Sequence, residues 1–345
     1  MSKQSRTPPA RGPAATVTIY HIAERAGVSI TTVSNALNRP DRVGAETLAR
    51  VMAVIDELGF TPKAAAVSRA RKGVGRIGVL APFTSYASYR SRLVGVLEAC
   101  AGQAIEVVLF DQQSVTEAAS PLLGSLPVTG RLDGVLIMGL PLKDAMARRL
   151  AQRQLATVLI DSFHPDLSSV NVDDEAGGYL VGKYLAGQGH RTFAYVSEAQ
   201  KSETFLSAGI LRMRGLQRAL ADAGLPPGAM KRQITSHDVE GGRRAAAEMI
   251  GAGTLPDALL AHFDDIAAGL VSGLRAKGVR VPEDVAVTGY DGTDFADALD
   301  LTTVHQPFVE SGRIAGGLLL DQLNGRSPGV QHVMLPAQLI IRSTA

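Results

Sequence analysis

Carboxylates and aromatic rings recur just after short apolar runs of this chain. Phe83 and Tyr86 follow Ile77–Ala81, Asp111 follows Glu106–Phe110, and Asp161 follows Ala156–Ile160. Phe263, Asp264 and Asp265 follow Ala258–Ala261, and Asp291 follows Val285–Thr288. If these runs are strands of open α/β sheets, the side chains collect at the carboxyl ends, where loops and helix N-termini converge on a small ligand. Carboxylates there grip hydroxyls through charge-assisted bonds, and an aromatic face stacks on a sugar ring or a nucleobase. An aspartate in this place also serves as a helix N-cap. A carbohydrate hydrolase would instead need two opposed carboxyls about 5–10 Å apart, whereas Asp264 and Asp265 are neighbours on one loop. The chain has no phosphate-binding loop, nucleophile elbow or metal-ligand spacing, so no enzyme, cofactor or metal is expected.

A second set of residues points to different chemistry. From Thr18 the chain reads TIYHIAERAGVSITTVSNALN. Ile19, Ile22, Ala23 and Ala26 fall at helical spacing, Gly27 breaks the pattern, and Ser29 is a good N-cap for a second helix with Val33, Ala36 and Leu37 inward. The other face of that second helix carries Ile30, Thr31, Ser34, Asn35 and Asn38. These short polar or methyl-bearing side chains suit base edges and phosphates in a major groove. Two short helices joined through a glycine turn form a helix-turn-helix. Charge agrees: residues 1–75 carry 11 Lys and Arg against 5 Asp and Glu, and the remaining residues carry 24 against 28. A basic head on an acidic body fits a polyanion partner.

The elements that position these groups follow from patterning. Residues 1–16, rich in Pro, Ser, Ala and Arg, read as a disordered leader. Residues 17–60 read as an all-α head whose third helix carries Leu48, Val51, Met52, Ile55 and Leu58. Residues 61–75 read as a hinge or linker. From 76 to 345 apolar runs alternate with amphipathic helices, among them Tyr89–Ala101, Ala176–Gln188, Arg212–Ala223, Gly241–Gly251 and Ile266–Lys277. That alternation predicts parallel sheets covered on both faces. About 270 residues is large for one open sheet, which favours two lobes of the same kind. Cys100, the single cysteine, lies in an apolar helical run and reads as packing. His190 reads as a helix-end histidine. The basic N-terminus has no apolar core, so no secretory signal is expected, and no run is long and apolar enough to span a membrane.

The helix-turn-helix run closely resembles the DNA-binding domain of the LacI/GalR family. Further matches are Gly189-His190, the run VPEDVAVTGYD from Val281, and LTTVHQP from Leu301. The resemblance implies that Ile30, Thr31 and Asn35 select bases, while Thr18, Ser29, Ser34 and Asn38 face phosphates. It implies a homodimer on a near-palindromic operator, one recognition helix per half-site. The connector after Pro62 resembles the family's hinge helix. The family usually has a leucine seven residues after that proline, wedging between base pairs; here the position is Arg69. Three readings stand open: Val67 takes that role, Arg69 reads the minor groove by charge, or the operator is kinked less sharply; Arg69, Arg71 and Lys72 contacting phosphate alone is a further one.

The body resembles the family's sensor domain, of the periplasmic-binding-protein-like type I fold: two Rossmann-like lobes joined by three crossovers, with a small effector between them. The resemblance implies that Asp264 grips effector hydroxyls opposite Arg212, and that Asp291 and Gln306 line the cleft. Phe263 stands where the family often has Asn. The expectation is a cytoplasmic, nucleoid-associated transcription regulator, a repressor, with a sugar or related metabolite as effector. A solute-binding protein for a transporter is the competing reading.

Overall fold

The computed structural model describes residues 17–60, 75–112, 132–199 and 207–345, with the side chains of Asn38 and Asp41 excepted. The leader, residues 61–74 of the connector and Arg69 with them lie outside the described residues, as does the side chain of Asn38.

The head holds three helices, α1 (Ile19–Ala26), α2 (Ile30–Asn38) and α3 (Ala45–Glu57). Gly27 ends α1 in the left-handed region, at φ 64°, which glycine enters without a Cβ penalty. The next amide, of Val28, closes back on the Ala23 carbonyl at 3.0 Å. Ser29 then starts α2, its Oγ accepting from the Thr32 amide at 3.0 Å. Ile22, Ala23, Ala26, Val33, Ala36, Leu37, Leu48, Val51, Met52, Ile55 and Phe60 form one core. It leaves Ile30 and Thr31 exposed, and Ser34 and Asn35 half-buried.

The body contains two parallel sheets. The first is six-stranded, in the order β11-β5-β4-β3-β1-β2. Its strands are β1 (Gly75–Ala81), β2 (Ile105–Asp111), β3 (Gly134–Met138), β4 (Ala156–Ile160), β5 (Ser168–Val172) and β11 (His332–Leu335). The second is four-stranded, in the order β7-β6-β8-β9. It comprises β6 (Phe193–Ser197), β7 (Met230–Ile234), β8 (Ala258–Ala261) and β9 (Ala286–Thr288). A short antiparallel pair, β10 (Thr303–His305) with β12 (Gln338–Ile340), completes the strands. The apolar runs form the central strands: β3 is buried along its whole length, as are β6 and β8.

Both sheets reverse direction at one place. From β1 the chain goes to β2 on one side and to β3 on the other; from β6 it goes to β7 on one side and to β8 on the other. A ligand site is expected at such switch points, beyond the carboxyl ends of the strands.

Helices α4 (Ala87–Cys100), α5 (Asp144–Gln152) and α11 (Phe308–Leu323) belong to the first lobe; α6 (Asp174–Gly187), α7 (Ala208–Asp222), α8 (Val239–Gly251), α9 (Asp264–Ala276) and α10 (Asp294–Ala298) belong to the second. The chain crosses between lobes after β5, after β10 and after β11. Helices α6 and α7 touch backbone to backbone: a Cβ at Gly178 would stand 2.0 Å from the Arg212 carbonyl, and one at Gly215 would stand 1.9 Å from the Glu175 carbonyl. This contact brings Arg212, on the first turns of α7, against the start of α6.

Candidate functional site: an interlobe cleft and a recognition helix

The two switch points face each other across a cleft. Its first wall carries Tyr86, which follows β1, Tyr89 and Arg92 of α4, Gly139 beyond β3, and Asp161 beyond β4. Its second wall carries Ser197, Glu198, Arg212, Arg232, His262, Phe263 and Asp291, and Gln306 and Phe308 come from a crossover.

Arg212 organises the second wall. It is 4% exposed. Its Nε donates to Asp174 Oδ1 at 2.7 Å, its Nη1 donates to the His262 carbonyl at 2.7 Å, and its Nη2 lies 3.7 Å from Asp291 Oδ1. The guanidinium also sits 3.6 Å from the Tyr290 ring centroid. Burial alone would disfavour its charge, but Asp174, the Tyr290 ring and Asp291 hold it more firmly protonated than usual. His262 Nδ1 lies 3.3 Å from Arg212 Nη1 and 2.8 Å from the Tyr195 hydroxyl. Guanidinium only donates, so Nδ1 is an acceptor and the ring is neutral. Burial and the nearby Arg212 charge keep it so, pushing the His262 pKa well below its ordinary value.

Asp291 is buried, with 8% of it exposed. Burial raises its pKa to about 8, against the pull of Arg212. Gln306 Nε2 donates to its Oδ1 at 2.7 Å. Both Asp291, at φ 116°, and Asp161, at φ 51°, are non-glycine residues in the left-handed region. Each such residue costs on the order of 1–3 kcal/mol and persists where surrounding structure dictates it.

Arg92 answers Arg212 from the first wall. Only 2% of it is exposed. Its Nη2 lies 2.5 Å from Asp161 Oδ2, and its guanidinium sits 4.3 Å from the Phe308 ring centroid. Its buried Nε has no hydrogen-bond partner among the described residues, so one donor in the cleft wall is left unspent.

Five of the ligand residues expected from sequence line this cleft: Asp161, Arg212, Phe263, Asp291 and Gln306. Phe83, Asp111 and Asp264 are placed elsewhere. Phe83 is packed in the first lobe's core, in the same cluster as Tyr86 and Tyr89. Asp111 is exposed and ties down the loop after β1, accepting from the Thr84 amide at 3.1 Å and from its hydroxyl at 2.5 Å. Asp264 is 1% exposed and spends its carboxylate on Thr293 (amide 2.8 Å, hydroxyl 2.9 Å) and on the Thr303 hydroxyl at 2.6 Å. Burial nevertheless raises its pKa to about 6. It binds loops together behind the wall that Phe263 faces.

Sequence reasoning missed Tyr89, Arg92, Asp174 and His262. Arg92 had a signal: it lies in the stripe Tyr89, Arg92, Val96, Cys100, an arginine on an otherwise apolar helix face.

In the head, Thr18 N-caps α1, its amide donating to His21 Nδ1 at 3.2 Å. The Ser29 hydroxyl is occupied with capping α2 and lies 2.8 Å from Thr32 Oγ1. Ile30 and Thr31 open the exposed face of α2, with Ser34 and Asn35 one turn on. No helix of the described residues is long and apolar enough to cross a membrane.

A two-lobe ligand-binding body combined with a helix-turn-helix head defines a ligand-responsive DNA-binding regulator. Comparison with known proteins agrees. Residues 18–63 match the model for bacterial regulatory proteins of the lacI family, and residues 182–345 match a periplasmic binding protein-like domain. The HTH-type transcriptional repressor PurR of Vibrio atlanticus (strain LGP32) is 30% identical over 332 residues, covering 95% of this chain and 98% of that protein. Among solved structures, the transcriptional regulator CelR–cellobiose complex matches with a TM-score of 0.69 at 27% identity, over 95% of this chain and 100% of that one. The Lac repressor dimer bound to operator and the anti-inducer ONPF matches with a TM-score of 0.65 at 25% identity, over 96% of this chain and 99% of that one. The chain belongs to the lacI family of bacterial regulatory proteins. It is a DNA-binding transcription regulator controlled by a small ligand, and not an enzyme.

Proposed function

We propose that this regulator is a cytoplasmic, nucleoid-associated repressor whose effector is a neutral, polyhydroxylated small molecule, a sugar or close relative, held between the lobes. The observation that carries this reading is the charge balance of the cleft. Its two buried arginines are matched: Arg92 pairs with Asp161, and Arg212 pairs with Asp174 beside Asp291, while Arg232, exposed to solvent, bonds the Glu198 carbonyl and the Ser197 hydroxyl. A phosphorylated or carboxylated effector in the cleft interior would need a free cation there, and it would meet Asp161 and Asp174 at close range. A neutral polyol instead takes the Arg92 Nε donor and offers hydroxyls to Asp161, Asp291 and Gln306. Phe263, Tyr86 and Phe308 supply apolar faces for its C–H surface. That the CelR relative was solved with cellobiose supports the same chemical class.

Binding couples to DNA through lobe geometry. An effector that fits one lobe arrangement better shifts the population toward it. Operator affinity then changes by the same factor by which DNA changes effector affinity, typically on the order of 1–3 kcal/mol. The residues proposed to meet DNA are Thr18, Ser29, Ile30, Thr31, Ser34, Asn35 and Asn38 of the head and Arg69 of the hinge, in a homodimer on a near-palindromic operator. Residues 1–16 act as a leader, 17–60 as the DNA-binding domain, 61–75 as the hinge and 76–345 as the sensing and dimerisation domain.

A thermal-shift panel of neutral mono- and disaccharides, their phosphates and free nucleobases tests the effector class. A neutral saccharide is expected to raise the melting temperature and to change binding to a duplex selected from a random pool. A shift given by phosphates or nucleobases alone would overturn the reading.

A further inference from the structure

At the rim of the cleft, three side chains from the two lobes meet in an arrangement that effector binding does not require. Tyr86, from the loop after β1 in the first lobe, donates its hydroxyl to both carboxylate oxygens of Glu198, at 3.0 Å each. Glu198 follows β6 in the second lobe. His237, on the loop between β7 and α8 of that lobe, stacks on the Tyr86 ring with centroids 5.0 Å apart, its Nδ1 3.5 Å from Glu198 Oε2. Tyr86 also leans on Phe263, centroids 5.7 Å apart. The set runs from buried to open: Tyr86 is 7% exposed, while the His237 side chain is 41% exposed. It therefore lies between the cleft interior and solvent.

We infer that Tyr86, Glu198 and His237 form an interlobe clasp that holds the cleft mouth shut without an effector and tightens when His237 is protonated. An imidazolium at His237 faces the Glu198 carboxylate, which Tyr86 anchors to the opposite lobe. Asp238 and Asp265 add negative charge around the ring, whereas Arg244 beside Asp238 and Arg90 of α4 beside Asp265 offset it. Arg232 reaches only the Glu198 backbone carbonyl and the Ser197 hydroxyl. On balance the acidic partners dominate: the interaction with Glu198 raises the His237 pKa above its ordinary 6.5, against the opposing effect of burial.

The sign follows. A group whose pKa is higher in the closed state than in the open one stabilises closure fully below the open-state value. That stabilisation is lost as pH rises through the closed-state value. Effector entry and exit are therefore slower at acid pH. The clasp is independent of the effector's chemical class, because it is built and broken by groups of the chain alone.

Amide hydrogen exchange on the effector-free, full-length protein tests this, at pH 6 and pH 8.5, with rates corrected for intrinsic chemistry. Segments 82–92 and 195–199 are expected to exchange about fivefold more slowly, after correction, at the lower pH, the scale of one partly exposed ion pair. His237→Gln should reduce the difference in these two segments to that of the rest of the body, which the buried Asp264 and Asp291 set by themselves. Tyr86→Phe, which removes one oxygen and leaves the packing, should raise exchange in both segments at pH 6, while the α6–α7 contact exchanges as in the parent. Exchange in Tyr86→Phe equal to the parent at both pH values, or a pH difference in these segments that His237→Gln leaves as large as in the parent, would overturn the proposal.

Discussion

Replacing Arg212 by methionine tests whether the cleft's second wall is held by one buried cation. Methionine keeps much of the volume and removes the charge. The change deletes a 2.7 Å pair with Asp174, a 2.7 Å bond to the His262 carbonyl and the contact with Tyr290. Asp174, 6% exposed, is left without its cation. Breaking a buried pair by removing one partner costs about 3–5 kcal/mol, chiefly through the stranded charge. For a body of this size each kcal/mol moves the melting temperature by roughly 2–4 °C, so a drop of about 6–20 °C is expected in the calorimetric transition of the body. Arg212→Met with Asp174→Leu removes both charges and should recover most of that loss, since an apolar replacement of a buried pair is often near neutral. The effector-induced thermal shift should vanish in both variants. Binding to the selected duplex without effector should persist, because Arg212 lies outside the head. A single variant that melts within about 2 °C of the parent, or a double variant no better than the single, would refute the ion-pair account.

Asn35→Ala should relax base preference at one or two positions per half-site, losing roughly 1–3 kcal/mol of discrimination; an unchanged consensus from random-pool selection would count against α2 as the reading helix. His21→Ala removes the side chain that accepts the Thr18 amide at 3.2 Å and should lower the head's stability by about 1 kcal/mol. His21→Asp should restore it, as followed by circular dichroism melting. Stability of the body should decline as pH rises from the ordinary carboxylate range toward 8. Asp264 and Asp291, raised to about 6 and about 8 by burial, keep protons in the folded chain that the unfolded chain has released. Above pH 8 that slope should flatten, and Asp291→Asn should shallow it between pH 6 and 8 in urea titrations.

Much of the architecture was legible because burial writes itself into composition. The central strands β4 and β8 are short, almost wholly apolar runs, and their expected bounds coincide with those observed. The head was legible for a different reason: Gly27 and Ser29 carry stop and start signals two residues apart, and tertiary packing reinforces both. What escaped was structure whose stability comes from neighbours. Edge strand β7 has the sequence Met-Lys-Arg-Gln-Ile, too polar for a buried-strand reading. Helix α11 carries Gly312, Gly316 and Gly317, which weaken helical propensity. Gly312 is there because α4 approaches too closely for a side chain: its Cβ would fall 1.9 Å from the Arg92 carbonyl.

The same close contact explains why the site was only half legible. A rule that looks at the ends of strands finds Asp161, Phe263 and Asp291, because those positions face the cleft in any doubly wound sheet. It also collects Asp111 and Asp264, since a carboxylate at a strand end serves as well to tie a loop, and only the partner's position decides between the uses. Arg92 and Asp174 sit on helices, and what brings Arg92 to the cleft and Asp174 to Arg212 is the distance between helix axes. Gly95 and Gly312 set that distance for α4 against α11, and Gly178 and Gly215 set it for α6 against α7. Sequence periodicity records which face of a helix is buried; it does not record how deep. A charged residue on the buried face of a helix that packs through glycines is therefore a better pointer to this cleft than a further aspartate after a strand.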